Sequence, residues 1–368
     1  MAPGKGEATT RQRLPCSCSK RSVRLRNVRY MERVVREVLP TLERWSHEGT
    51  RAALATVVSV ERSAPRGPGS IMALSETGQI VGSVTGGCVE PDVVLAAEDV
   101  LGGGPPRLRE YGIADEDAFA VGLPCGGAVR IFIEAMDADV IARLAAAVRD
   151  ETALGVITRI AGPHVGERTV SDADGVDDEA AALIRAGHSG AIGTGDDERF
   201  VLGVAARPRM YVFGAIDFAS ALATLGRFMG YHVTVCDARA AFVTEERFPD
   251  ADEIVVAWPH TLIAEAPIDE RSAICILTHD AKFDGPALHA ALKTRAGYIG
   301  AMGSRRTVAR REERLRAEGL TDADFARVHS PIGMSISSKT PEEVAVAVGA
   351  QIIQTMRSHP APVPSVIR

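Results

Sequence analysis

Two short motifs each set a thiol against paired glycines: Gly86-Gly87-Cys88 and Cys125-Gly126-Gly127, near mirror images 37 positions apart. Glycine lets backbone approach a ligand closely and takes positive φ at little cost. Consecutive amides at such a turn form an anion-binding concavity. A cysteine beside them can be held as thiolate, the form that attacks electrophiles or binds soft metals. The alternative is a pair of tight turns holding small, core-filling cysteines. Cys88 precedes a helical stretch opening with Glu90-Pro91-Asp92, where free amides and the helix dipole favour a thiolate. Glu90 reads as an exposed first-turn acid that supports this helix. Cys125 follows Pro124 and the acidic run Asp115-Glu116-Asp117, acids that disfavour an ionised thiol. It suits a metal ligand or a partner in sulfur exchange. Arg66 lies on the proline-braced stretch Ser63-Ala64-Pro65-Arg66-Gly67-Pro68-Gly69-Ser70. It can hold a phosphate bidentately or simply close its loop.

A second set of residues lies beyond position 207. Strand 210–213, the turn at Gly214, helix 220–229 and strand 232–236 end at Asp237, an acid 23 residues after the glycine. This βαβ pattern matches a dinucleotide-binding half. The glycine run is imperfect: in Gly214-Ala215-Ile216-Asp217, isoleucine takes the place where backbone must touch a pyrophosphate, and Asp217 repels one. A Rossmann-like sheet is therefore expected, and bound NAD(P) is not. An NAD(P)-dependent oxidoreductase is kept as the alternative function. Gly300-Ala301-Met302-Gly303-Ser304-Arg305-Arg306 follows a strand and opens a basic helix; Gly303, a capping Ser304 and Arg305 suit an anion there. Thr278-His279-Asp280 follows the strand at 273–277, where open α/β sheets place ligand groups, with helix capping by Asp280 as the alternative. Lys339-Thr340-Pro341-Glu342-Glu343 needs only helix capping to explain it.

The elements that must position these residues are legible in outline. Residues 31–49 show helical periodicity, 53–60 read as a buried strand, and 71–74 and 80–84 as a hairpin that delivers Gly86-Gly87-Cys88. A helix is expected over 90–101 and a strand over 128–134, and 153–206 looks like a degenerate echo of the first strands without a Gly-Gly-Cys. The predicted organisation is a basic tail (1–30), an N-terminal domain (31–206), a C-terminal domain (207–357) and a short tail (358–368). The fold class is α/β: an N-terminal mixed α/β domain plus a C-terminal Rossmann-like doubly wound sheet.

Composition limits the function classes. With 368 residues, 46% hydrophobic and 24% charged, the chain has material for two cores. No apolar run approaches the roughly 18 residues of a membrane span. A net charge of −6 argues against a dedicated nucleic-acid binder, and six irregularly spaced cysteines against a secreted disulfide scaffold. A cytoplasmic protein is expected. Residues 1–30 carry eight basic residues against Glu7 alone, so the remainder is more acidic than the total; Met31 is a candidate start.

Taken together, these residues resemble the XdhC/CoxI family, accessory proteins of xanthine dehydrogenase and other molybdenum hydroxylases. The likeness runs over residues 45–355, through Ala55-Thr56-Val57-Val58, Ser63-Ala64-Pro65-Arg66, Gly86-Gly87-Cys88-Val89-Glu90 and Gly122-Leu123-Pro124-Cys125-Gly126-Gly127. It continues through Val212-Phe213-Gly214-Ala215, Thr278-His279-Asp280, Gly300 to Arg306, Pro331-Ile332-Gly333 and Thr340-Pro341-Glu342-Glu343. The departure is at Ile216-Asp217, where the family carries glycine and histidine. The resemblance implies a chaperone that holds molybdenum cofactor (molybdopterin or its cytosine dinucleotide form), supports its sulfuration and delivers it to an apo molybdenum hydroxylase. A sulfur-donating cysteine desulfurase is the implied second partner, with Cys88 and Cys125 as candidate molybdenum ligands. A homodimer is compatible with this reading, although no residue argues for it.

Overall fold

The structure, a computed structural model, describes residues 29–62, 64–112, 127–278 and 280–358, with backbone alone for residues 29–34 and 305. Cys125, Gly126, His279, the acidic run at 115–117 and both chain ends lie outside the described residues.

Helix α1 (Arg29–His47) leads into strands β1 (Ala52–Glu61), β2 (Ile71–Ser75) and β3 (Ile80–Gly82), helix α2 (Glu90–Leu101), and strands β4 (Arg107–Tyr111) and β5 (Ala128–Ala135). The five strands form an antiparallel sheet in the order β3-β2-β1-β5-β4. β1 is buried on both faces, which is why it reads as an apolar run and not as an alternation. Ala53, Ala55 and Val57 pack with Val93, Ala96 and Ala97 of α2; Ala52, Leu54 and Val58 pack with Val35, Val38 and Leu42 of α1. Pro91 in the first turn and Gly102 at the C-cap bound α2.

Helix α3 (Ala138–Arg149), β6 (Leu154–Arg159), β7 (Arg168–Ser171), α4 (Asp178–Ala186), β8 (Gly190–Ile192) and β9 (Arg199–Val204) follow. Their antiparallel sheet runs β7-β6-β9-β8, the order of β2-β1-β5-β4, with α4 where α2 stands. Trp45 of α1, Leu144 of α3, Phe132 of β5 and Phe200 of β9 share one core. An ion pair with a buried carboxylate joins the sheets: Arg168 Nε on β7 donates to Glu134 on β5 at 2.8 Å.

After Arg207-Pro208 the pattern changes to β10 (Arg209–Phe213), α5 (Asp217–Phe228), β11 (His232–Cys236), β12 (Glu253–Val255), α6 (Pro259–Glu265), β13 (Ala273–Ile276) and α7 (Ala281–Leu292). The chain continues as β14 (Tyr298–Ala301), α8 (Arg305–Ala317), α9 (Asp322–Phe325), β15 (Val328–His329) and α10 (Pro341–Ser358). All six strands pair in parallel, in the order β12-β11-β10-β13-β14-β15. α5 and α10 cover one face, and α6, α7 and α8 the other. This is a doubly wound sheet, as its sequence pattern predicts, with its topological switch between β10 and β13. Among the described residues no helix is long and apolar enough to cross a membrane.

Candidate functional site

Strand register brings the candidate residues of the first half to one end of the five-stranded sheet. β1 leaves it at Glu61 beside Ala128, β2 enters at Ile71 beside Thr56, β3 leaves at Gly82 beside Met72, and β4 ends at Tyr111 beside Val129. That end therefore carries the loop of Arg66, the loop of Gly86, Gly87 and Cys88, and both roots, Gly112 and Gly127, of the segment holding Cys125 and Gly126. Cys88 is a free, half-buried thiol. It packs on the same core cluster as Val60 at the end of β1 and Ala64 beside Arg66. Arg66 is half-buried and has no hydrogen-bond or ion-pair partner among the described residues. Tyr111 Oη donates to Asp92 at 2.6 Å, tying the root of the Cys125 segment to the first turn of α2.

Glu90 differs from its expected role as an exposed helix-supporting acid. Its Oε1 accepts from Ser83 Oγ at 2.6 Å and from the amides of Thr85 and Gly86, both at 2.9 Å. Its Oε2 accepts from Thr85 Oγ1 at 2.7 Å and from the amides of Gly87 at 2.8 Å and Val89 at 3.2 Å. Burial would raise the Glu90 pKa, but the bonds from Ser83 and Thr85 outweigh it and hold the carboxyl well below its usual range. The paired-glycine amides, which the sequence offers to a ligand's anion, are thus donated to the chain's own carboxylate. Gly86 and Gly87 adopt φ of 89° and 120°, and a Cβ on either would meet open space. The glycines serve the turn itself, not clearance for a neighbour.

In the parallel sheet, Gly214 and Asp237 do come together, at the carboxyl ends of β10 and β11. Gly214 has φ of 107°, and a Cβ there would lie 3.0 Å from Thr278 N at the end of β13. Asp237 is 2% exposed. It accepts from Ala215 N at 2.9 Å, Arg239 N at 2.9 Å, Arg239 Nε at 3.0 Å and an Arg239 terminal nitrogen at 2.8 Å. Burial works against ionisation, yet the Arg239 and Ala215 bonds lower its pKa. Both oxygens are thereby occupied where a ribose acid would need free acceptors. Ile216 packs on the core under α5, while Asp217 projects into solvent near Arg247. Gly303 precedes Ser304, which caps α8 by accepting from Thr307 N at 3.2 Å, and Arg305 opens that helix.

A network not anticipated from sequence lies beneath this edge. Asp284 on α7 and Arg311 on α8 form a buried ion pair at 3.4 Å. Thr278 Oγ1 donates to Asp284, and Arg311 also donates to Met302 O at 3.0 Å and Ser330 Oγ at 2.6 Å. Burial lowers the Arg311 pKa. The two residues sit on different helices, so no local spacing announces them. Among the described residues, no hydrogen bond joins the Cys88 loop to the parallel sheet, and no group of three or more His, Cys, Asp or Glu is placed to hold a metal ion.

The description "XdhC and CoxI family" fits residues 45–112, and "XdhC Rossmann domain" fits residues 210–352. A probable xanthine dehydrogenase subunit of Bacillus subtilis (strain 168) is 30% identical over 319 residues, 83% of this chain and 93% of that protein. The "Molybdenum cofactor insertion chaperone PaoD" of Escherichia coli (strain K12) is 27% identical over 312 residues, 84% of this chain and 85% of PaoD. A crystal structure described as a xanthine dehydrogenase from Bacillus halodurans superposes with a TM-score of 0.68 at 26% identity, covering 88% of this chain and 98% of that one. The chain belongs to the XdhC and CoxI family.

Proposed function

We propose that this protein is an accessory chaperone that holds molybdenum cofactor and delivers it to a xanthine dehydrogenase-type hydroxylase in the cytoplasm. The observation that carries this reading is the convergence, at one sheet end, of an arginine with no partner among the described residues and a half-buried free thiol. It is supported by family membership and by the likeness to a named cofactor insertion chaperone. The residues present fit such a group in part. Arg66 offers a guanidinium to a phosphate, and Cys88 offers sulfur toward a soft metal. The glycine amides at 86 and 87 do not fit, because Glu90 holds them. Bound there, the cofactor would supply a molybdenum–dithiolene centre; the chain's part is to orient it, shield it from water and release it. Cys125 is the second thiol in this reading, and a cysteine desulfurase the partner that supplies sulfur. The second antiparallel sheet repeats the strand order, but Asp177 caps α4 there; we read it as structural support.

The delivery step is tested by mixing cofactor-loaded protein with a purified apo hydroxylase of the xanthine dehydrogenase type. Hydroxylase activity should rise with the wild-type donor and not with an equal amount of Cys88→Ala protein. Equal activation by both would refute the role of the thiol.

A dinucleotide-dependent oxidoreductase is the reading we set aside. Ile216 replaces the contact glycine, Asp217 adds an acid to the same turn, and Asp237 has both oxygens occupied. Titration with NADH should give no saturable fluorescence change; saturation in the micromolar range would restore that alternative.

A further inference from the structure

The bonds around Glu90 are unlike those of an ordinary helix-opening acid, which interacts with its own helix's free amides and dipole. Each carboxylate oxygen takes three donors, and the donors come from both sides of Cys88: Ser83, Thr85, Gly86 and Gly87 before it, and Val89 after it. We propose that Glu90 is the positioning residue of Cys88: its carboxylate locks the two positive-φ glycines and so fixes the direction in which the thiol leaves the loop.

Two features support this role. A Cβ on Gly86 or Gly87 would meet open space, so no neighbour packs against that side of either glycine. Besides the Glu90 bonds, the side-chain hydrogen bonds within the loop are Gly86 N to Ser83 Oγ at 2.9 Å and Val89 N to Thr85 Oγ1 at 3.3 Å. The carboxylate is also too well satisfied to yield its amides to a ligand's phosphate. The anion contact therefore falls to Arg66, and Glu90 is left as the fixed frame of the loop. Glu90 does not itself touch a ligand. The proposal rests on the reading of Cys88 as a cofactor contact only for its consequence, not for its geometry.

Glu90→Gln is a sharp probe because it keeps size. One amide oxygen can still accept three donors, but on the other side the NH2 group turns donor against donor toward two backbone amides, where only the hydroxyl can turn to accept. The measurement is the rate at which N-ethylmaleimide modifies Cys88 in the folded, full-length protein, read at that residue by peptide mass spectrometry. The rate should change at least about tenfold in Glu90→Gln, the factor by which losing one charge-assisted hydrogen bond moves a local opening equilibrium. Far-UV circular dichroism should remain that of wild type. A rate within about twofold of wild type in folded Glu90→Gln protein overturns the proposal, because a purely structural acid would lower stability without moving this rate. If Glu90→Gln does not fold, Thr85→Val carries the test alone. It removes one hydroxyl, which donates to Glu90 and accepts from Val89 N, and should give an intermediate rate; a wild-type rate again overturns the proposal. Pterin retention measured on the same samples separates the two claims. A wild-type protein that retains no pterin defeats the cofactor reading, while the modification rate still decides the role of Glu90.

Discussion

Glu134→Gln should remove a pH dependence of stability that the wild-type protein shows between pH 5 and 8. Glu134 lies on β5 against Arg168 of β7, and burial pushes its carboxyl up to about 7 from an ordinary 4.5, although Arg168 opposes the rise. The folded state therefore binds this proton more tightly than the unfolded chain. Its contribution is fully present below pH 4.5 and is lost as pH rises through 7. At about 1.4 kcal/mol per pH unit, that interval corresponds to roughly 3 kcal/mol. For a cooperative unit of this size, the same energy is a fall in Tm of about 6–12 °C. Carboxyls held low by hydrogen bonds, such as Glu90 and Asp237, titrate below this window and add no slope within it. The assay is thermal unfolding of both proteins at half-unit steps of pH. The glutamine carbonyl can still accept from Arg168, and any weakening of that bond offsets the variant alike at every pH, so the informative quantity is the difference between the two curves. It should move in the variant's favour by roughly 3 kcal/mol from pH 5 to pH 8. A flat difference would refute the assignment of a proton to this buried carboxyl.

Three further outcomes follow from the geometry. Arg311→Met removes the cation of the buried Asp284 ion pair and should cost about 3–5 kcal/mol in urea unfolding of the parallel-sheet half, with part recovered on adding Asp284→Asn. Gly214→Ala places a Cβ at φ of 107° and 3.0 Å from Thr278 N, so a loss of about 1–3 kcal/mol is expected in the same assay. Arg66→Ala should change stability by less than about 0.5 kcal/mol, since no described residue bonds to it, yet weaken pterin retention at least about tenfold if it carries the phosphate.

Much of the scaffold was readable because its physics is local. β1 is buried on both faces and so appears as an unbroken apolar run; Pro91 and Gly102 mark the ends of α2 at Glu90 and Leu101. β4 was missed: Arg107-Leu108-Arg109-Glu110-Tyr111 is an edge strand, and its exposed charges hide the alternation. α5 begins at Asp217, three residues before its expected start, because Ile216 serves as N-cap without a side-chain bond. At the candidate site, residue types single out loops but not the internal partners of those loops. Glu90 looked like a first-turn acid because nothing in its spacing shows the side chain folding back over two glycines. Asp237 stood at the ribose position, and only the fold reveals that Arg239, two residues on, fills its oxygens. The Asp284–Arg311 pair bridges α7 and α8, a contact made by helix packing and by no periodicity.

In the proposed function, Cys88 and Cys125 hold molybdenum cofactor on this protein. The most direct test is quantitative mass spectrometry of the pterin co-purifying with wild-type, Cys88→Ala, Cys125→Ala and doubly substituted proteins made in cells that synthesise the cofactor. Pterin is expected on the wild-type protein, with a marked loss in Cys88→Ala and none retained by the double variant. Undiminished pterin on the double variant would contradict that function.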